Sequence, residues 1–217
     1  MEFVGPSPGD IKNVHALNRA FLDLVATDAA VLAASRRRVP NVARRLFALD
    51  SRQRRRLART PFLLMSFRED EPRLWDALLG QAGVAVQSLS LHQPGEPAAR
   101  LLDAGLGFVW QLAQHNRYAA RVICGAGINW CEQLAGVTLV ELLQRAGRYD
   151  ALLSLRRSTS TVFWQNLLVA GTSDEQAVRQ AARLSAMQTM LVADAVQSPL
   201  RAAACRIPEW PTKRQPG

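Results

Sequence analysis

Arginine carries most of the chemistry this chain offers. Arg36, Arg37, Arg38, Arg44, Arg45, Arg52, Arg54, Arg55, Arg56, Arg59 and Arg68 fall between Ser35 and Arg68, where Asp50 is the sole acid. That segment carries +10, and the net charge of the whole chain is +9, so the rest is close to neutral. Lys12 and Lys213 are the only lysines. A guanidinium offers a planar fork of donors that matches phosphate or carboxylate in two-point contact, which a lysine ammonium cannot do. A concentrated arginine segment therefore points to a polyanion, either DNA or an acidic protein partner. The competing reading is a solvated arginine-rich helical face with no ligand. The residues assigned to nucleic-acid binding are Arg36, Arg37, Arg38, Arg44, Arg45, Arg52, Arg54, Arg55, Arg56 and Arg59. Phe47 is the one aromatic residue among them, too few for a platform that stacks successive bases of a single strand.

Other reactive groups suggest no reaction. His15, His92 and His115 are scattered. There is no glycine-rich phosphate loop and no nucleophile elbow. Cys124, Cys131 and Cys205 have no metal-ligand spacing. Cys124 and Cys131, seven residues apart in apolar surroundings, read as buried reduced thiols on one helix face in a cytosolic protein. No cofactor or metal is expected, and the chain reads as non-enzymatic. No run approaches the ~20 apolar residues that span a bilayer. The first twenty residues lack the apolar core of a signal peptide, so a cytoplasmic location is expected.

The elements that hold these residues read as helices. Apolar residues recur at helical spacing over 13–33, 98–123 and 174–196. Residues 80–97 are rich in Gly, Pro and Ser and read as a linker, and 207–217 as a flexible tail. Strand patterning is confined to VAVQSLSL at 84–91, inside the linker. Trp75, Trp110, Trp130 and Trp164 lie at apolar helical positions and are expected in the core.

A shift of about 88 residues aligns RLFALDSRQRRRLARTPFLLMSFR, starting at Arg45, with QLAGVTLVELLQRAGRYDALLSLR, starting at Gln133. Leu46 falls on Leu134, Ala58 on Ala146, Leu64 on Leu152, and the Ser66–Arg68 stretch on 154–156. With one residue inserted, Trp75 falls on Trp164. Asp50 with Gln53, and Thr138 with Glu141, both have capping-box spacing, which predicts short helices over 51–59 and 139–146. The expected fold is all-α, a helical bundle of two related units from a tandem duplication, related by a pseudo-two-fold axis. The units are 11–79, the arginine-rich repeat, and 98–168, followed by a C-terminal helix over 174–196.

This unit resembles the D subunit of the bacterial flagellar master transcription activator (FlhD). The likeness runs from about Leu17 to Arg68, through LNRAFLDL and then LFALDSRQRRRLARTPFLLMSFR. It implies an all-α subunit that dimerises and acts in bacterial transcription control with a zinc-binding partner subunit. Two copies here, where the family has one, would mimic that dimer within one polypeptide. The hook position that holds a cysteine in some members of the family is Met65 here and Leu153 in the second copy. This chain lacks the four-cysteine cluster of the partner, so it cannot supply the partner's role as well.

The two copies diverge where function is expected. The helix over 51–59 presents arginines to solvent after a tight turn, in the manner of a helix-turn-helix reader. Its counterpart carries Leu139, Val140, Leu142 and Leu143, which predicts a helix buried nearly all round or serving as an interface with another subunit. The functional expectation is a transcription-related regulator binding DNA or an acidic partner, with a homo-oligomer or a heteromeric regulator partner and no membrane. The alternative is a protein-interaction scaffold that binds no nucleic acid.

Overall fold

The computed structural model describes residues 4–27, 39–80, 96–149 and 152–197. Arg36, Arg37, Arg38, His92, Cys205, nearly all of the linker and the tail lie outside the described residues. Among the described residues the fold is all-α, with one two-stranded antiparallel ladder. The first half contains α1 (Pro8–Thr27), α2 (Pro40–Phe47), α3 (Ser51–Leu57), β1 (Met65–Ser66) and α4 (Pro72–Leu79). The second contains α5 (Pro97–His115), α6 (Arg117–Cys124), α7 (Ile128–Ala135), α8 (Leu139–Ala146), β2 (Ser154–Leu155) and α9 (Thr161–Val169). A last helix, α10 (Gln176–Gln197), follows.

Local side-chain chemistry sets several helix starts. Asp50 Oδ1 accepts from the backbone N–H groups of Arg52 and Gln53 at 2.7 Å each, and Gln53 Oε1 accepts from Asp50 N at 3.1 Å. Thr138 and Glu141 make the same reciprocal box at α8. Both boxes satisfy donors that a helix start leaves unpaired. Ser7 and Asp10 form a third pair of this kind, so α1 begins earlier than its apolar stripe suggests. The stripe over 98–123 is two helices. Asn116 breaks it at φ −151 and caps α6 by accepting from Ala119 N at 2.9 Å. Cys124 ends α6 and Cys131 lies within α7, so the two buried thiols sit on different helices, not on one face as their spacing suggested. The apolar positions on each side of Asn116 keep one period, so the stripe alone does not reveal the cap.

One continuous core runs through both halves. The long helices α1 and α5 pack on each other. Each half sends its tryptophan helix to the other: α4 packs on α7 and α8, while α9 packs on α2. Trp75 and Trp164 are fully buried. The Trp75 and Trp130 rings meet edge to face with centroids 5.2 Å apart, a preferred aromatic geometry. The Trp75 indole N–H donates to the Phe67 and Arg68 carbonyls, and that of Trp164 to the Arg156 carbonyl.

The apolar hooks meet at the centre. Ser66 pairs with Ser154, and Met65 with Leu155. Phe62, Leu63, Leu64, Met65 and Phe67 are fully buried. Gly105 of α5 lies under this strand, where an added Cβ would come within 2.8 Å of the Met65 and Phe67 side chains. Polar groups hold the first hook in place. Buried Asn18 donates to the Phe62 carbonyl at 2.8 Å and accepts from Leu64 N at 2.8 Å. Buried Arg156 donates to the carbonyls of Leu63 and Met65 and to the Glu69 carboxylate. Glu69 also accepts from Ser66 Oγ at 2.7 Å and Phe67 N at 2.8 Å. Arg68 and Arg157, at φ 57 and 49, lead out of the hooks in the left-handed region, which costs an L-residue roughly 1–2 kcal/mol. Arg68 is held there by two contacts to Glu71, at 2.9 and 2.6 Å.

Candidate nucleic-acid interface

The arginine segment folds into α2 and α3, joined by Ala48, Leu49 and Asp50. In α2, Val42, Ala43 and Leu46 face the core, and Arg44 and Arg45 are exposed on the opposite side. In α3, Leu57 is the buried residue, and Arg52 and Arg55 are exposed. Arg54 is half-buried and Arg59, just beyond the helix, is exposed. Arg54, Arg55 and Arg56 occupy the last turn of α3, where cations are also favoured by the helix dipole. Part of the arginine enrichment thus has a local structural role.

The arginines divide into three groups. Arg54 and Arg55 line a small cleft with Arg19, Leu22, Asp23 and Ser51, where α1 meets the start of α3. Arg52 and Arg56 reach the other way, to Asp174. Arg56 ion-pairs with the Asp174 carboxylate and donates to the Thr172 carbonyl at 2.9 Å. Arg52 lies 3.4 Å from Asp174 Oδ1. The Arg56 side chain is only 17% exposed, so it ties α3 to the turn before α10 and does not face solvent with its neighbours as expected. These two arginines hold the Asp174 carboxyl below its ordinary range, Arg56 through its hydrogen bond first. Arg59, just beyond α3, belongs to a third group with His15 of α1 and Arg183 of α10, whose charges it influences.

Nothing in the sequence marks Arg19, Asp174, Arg179 and Arg183 for this site, and His15 reads there only as one of three scattered histidines. Arg179 and Arg183 stand four apart on α10, a spacing that places them on one face. Nothing local indicates that this face meets α3.

The proposed interface on α8 divides as well. Leu142 is fully buried in the core and cannot meet a partner subunit. Leu139 and Leu143 are half-buried, and Val140 is 59% exposed. The helix is therefore not enclosed on all sides: α4 and α5 cover one face and leave Val140 outside. Arg145 fixes that packing by donating to the Leu79 carbonyl at 2.7 Å.

Among the described residues no group of three or more His, Cys, Asp or Glu could hold a metal ion, and no helix is long and apolar enough to cross a membrane. Comparison with family models, curated proteins and solved structures finds no match.

Proposed function

We propose that this chain is a non-enzymatic regulator of the transcription type, which binds duplex DNA through the outward arginines of α2 and α3. The observation that carries the reading is the state of Arg44, Arg45 and Arg55. All three are exposed, and none has an ion pair among the described residues. They stand on two consecutive short helices joined by a tight turn, which can present side chains to a groove and its phosphates.

The likeness to the flagellar activator's D subunit supports a single chain that acts as a pair of such units. So does the order of elements. The bounds of α7 lie 88 residues after those of α2, the same separation as Ser66 and Ser154, whose pairing centres the ladder. The exchange of tryptophan helices between halves is the packing expected of a dimer fused by duplication. In that arrangement the first copy keeps the basic helix pair and the second, with Leu142 in the core, serves as its scaffold.

A salt series of fluorescence anisotropy on duplex DNA tests the reading, comparing wild type with the triple variant Arg44→Gln, Arg45→Gln, Arg55→Gln. Three lost phosphate contacts lower the slope of log affinity against log salt by roughly 2.7. Equal slopes, or no binding by wild type at low salt, would refute it. The second reading is a protein-interaction module. It is favoured by the pairing of Arg52 and Arg56 with Asp174, whose single carboxylate engages both side chains and offsets one of their two positive charges.

A further inference from the structure

We propose that the seam between α1, α3 and α10 is a phosphate-binding site, built on Arg59 and Arg183 with Arg179 and His15 beside them. This goes beyond the DNA-facing surface of α2 and α3 and involves residues of α1, α10 and the turn just beyond α3, remote in sequence.

The geometry begins with Arg183. Its Nη2 donates to the Arg56 carbonyl at 2.9 Å, near the end of α3. Its Nε is buried and has no hydrogen-bond partner. A buried donor on a charged group is costly to leave unpaired. Arg179, one turn earlier, donates to the backbone carbonyls of Ser173 and Asp174 at 2.7 Å each. Two arginines four apart on one helix repel each other. Arg59 adds a third cation from the turn just beyond α3, and burial together with Arg179 and Arg59 lowers the proton affinity of Arg183. The same field reaches α1, where burial, Arg183 and Arg59 lower the pKa of His15.

The acid balance here differs from that around Arg156. Buried Arg156 has buried Glu69 as its counter-ion, and its side chain also donates to two carbonyls. At the seam, the carboxylate of Asp174 is taken by Arg56 and Arg52. Among the described residues no carboxylate pairs with Arg59 or Arg183. An oxyanion between Arg59 and Arg183 would give Nε its acceptor and offset the mutual repulsion of the cations. Phosphate suits this position because its several oxygens can accept from more than one guanidinium at once.

The test is isothermal titration calorimetry of the full chain with pyrophosphate in a chloride buffer, for wild type, Arg59→Gln, Arg183→Gln and the control Arg148→Gln, an exposed residue just after α8. Saturable one-to-one binding is expected for wild type and the control, weakened at least about ten-fold by each seam variant, the loss expected for one charge-assisted contact. Arg59 is exposed, so Arg59→Gln keeps the test sound if Arg183→Gln fails to fold. No saturable heat with wild type, or equal affinity in Arg59→Gln, overturns the proposal. A competition arm separates the sources of phosphate. Displacement of a short duplex by pyrophosphate assigns the seam to the nucleic-acid backbone, and simultaneous binding assigns it to a separate phosphorylated ligand. Pyrophosphate binding without any duplex binding would refute the DNA reading alone, and duplex binding without pyrophosphate binding would refute this one alone.

Discussion

Replacing Arg156 with Met should destabilise the whole fold, because its guanidinium joins the two halves at their centre. Arg156 is 2% exposed. It pairs with Glu69, and the two side chains are 3% and 5% exposed. The variant keeps approximate volume but strands the Glu69 carboxylate away from water, with Ser66 Oγ and Phe67 N as its remaining donors. It also removes the side-chain donors to the Leu63 and Met65 carbonyls. Breaking one side of a buried pair costs about 3–5 kcal/mol. That is a large part of the roughly 5–15 kcal/mol that holds a typical domain. At about 2–4 °C per kcal/mol for a chain of this size, the melting temperature should fall by about 6–20 °C. Urea unfolding of wild type, Arg156→Met, Glu69→Leu and the double variant measures both the loss and the coupling. The double variant should lose less than the sum of the singles by about 0.5–3 kcal/mol, since it buries no lone charge. A single-variant loss under about 1 kcal/mol, or strict additivity, would show that the pair is hydrated and that the hooks hold together by apolar packing alone.

Two further outcomes follow from burial and charge. Leu142→Ala should cost about 2–5 kcal/mol, as a cavity in a fully buried site, while Val140→Ser on the same helix should change stability by no more than about 0.5 kcal/mol; the order of the two in thermal melts checks which face of α8 is covered. Burial and the nearby Arg183 and Arg59 lower the pKa of His15 from its ordinary 6.5, so between that lowered value and 6.5 the unfolded chain holds more protons. Stability should therefore fall as pH drops through 6.5, with no contribution from this group well above it, and His15→Gln should flatten that part of the urea-midpoint profile in phosphate-free buffer; parallel profiles for the two proteins would contradict the assignment.

Features set within one turn of chain were legible in the residues. The boxes of Asp50 with Gln53 and of Thr138 with Glu141 span three positions, and both formed where expected. Leu139–Ala146 has the expected bounds, and Ser51–Leu57 ends two residues short of its prediction, where Ala58 and Arg59 turn towards Pro61. Trp75, Trp130 and Trp164 are core residues, as their apolar spacing indicated, and Trp110 is half-buried with its indole N–H on the Val137 carbonyl. These outcomes rest on capping, periodicity and side-chain size, which act between near neighbours.

What each arginine does was decided only by the tertiary structure. Arg54, Arg55 and Arg56 are adjacent and identical in the sequence, yet Arg55 faces solvent while Arg56 reaches across to a carboxylate 118 residues away. Arg156 reads as one more basic residue at the end of an apolar hook, yet it is buried against Glu69, 87 residues earlier. The sense of α8 has the same origin. Its leucines specify an apolar helix, but only the arrival of α4 and α5 on one face makes Leu142 core and leaves Val140 outside. The cost of an unpaired buried charge applies only after folding brings it out of water, so the partner that answers it can lie anywhere in the chain and leaves no local pattern.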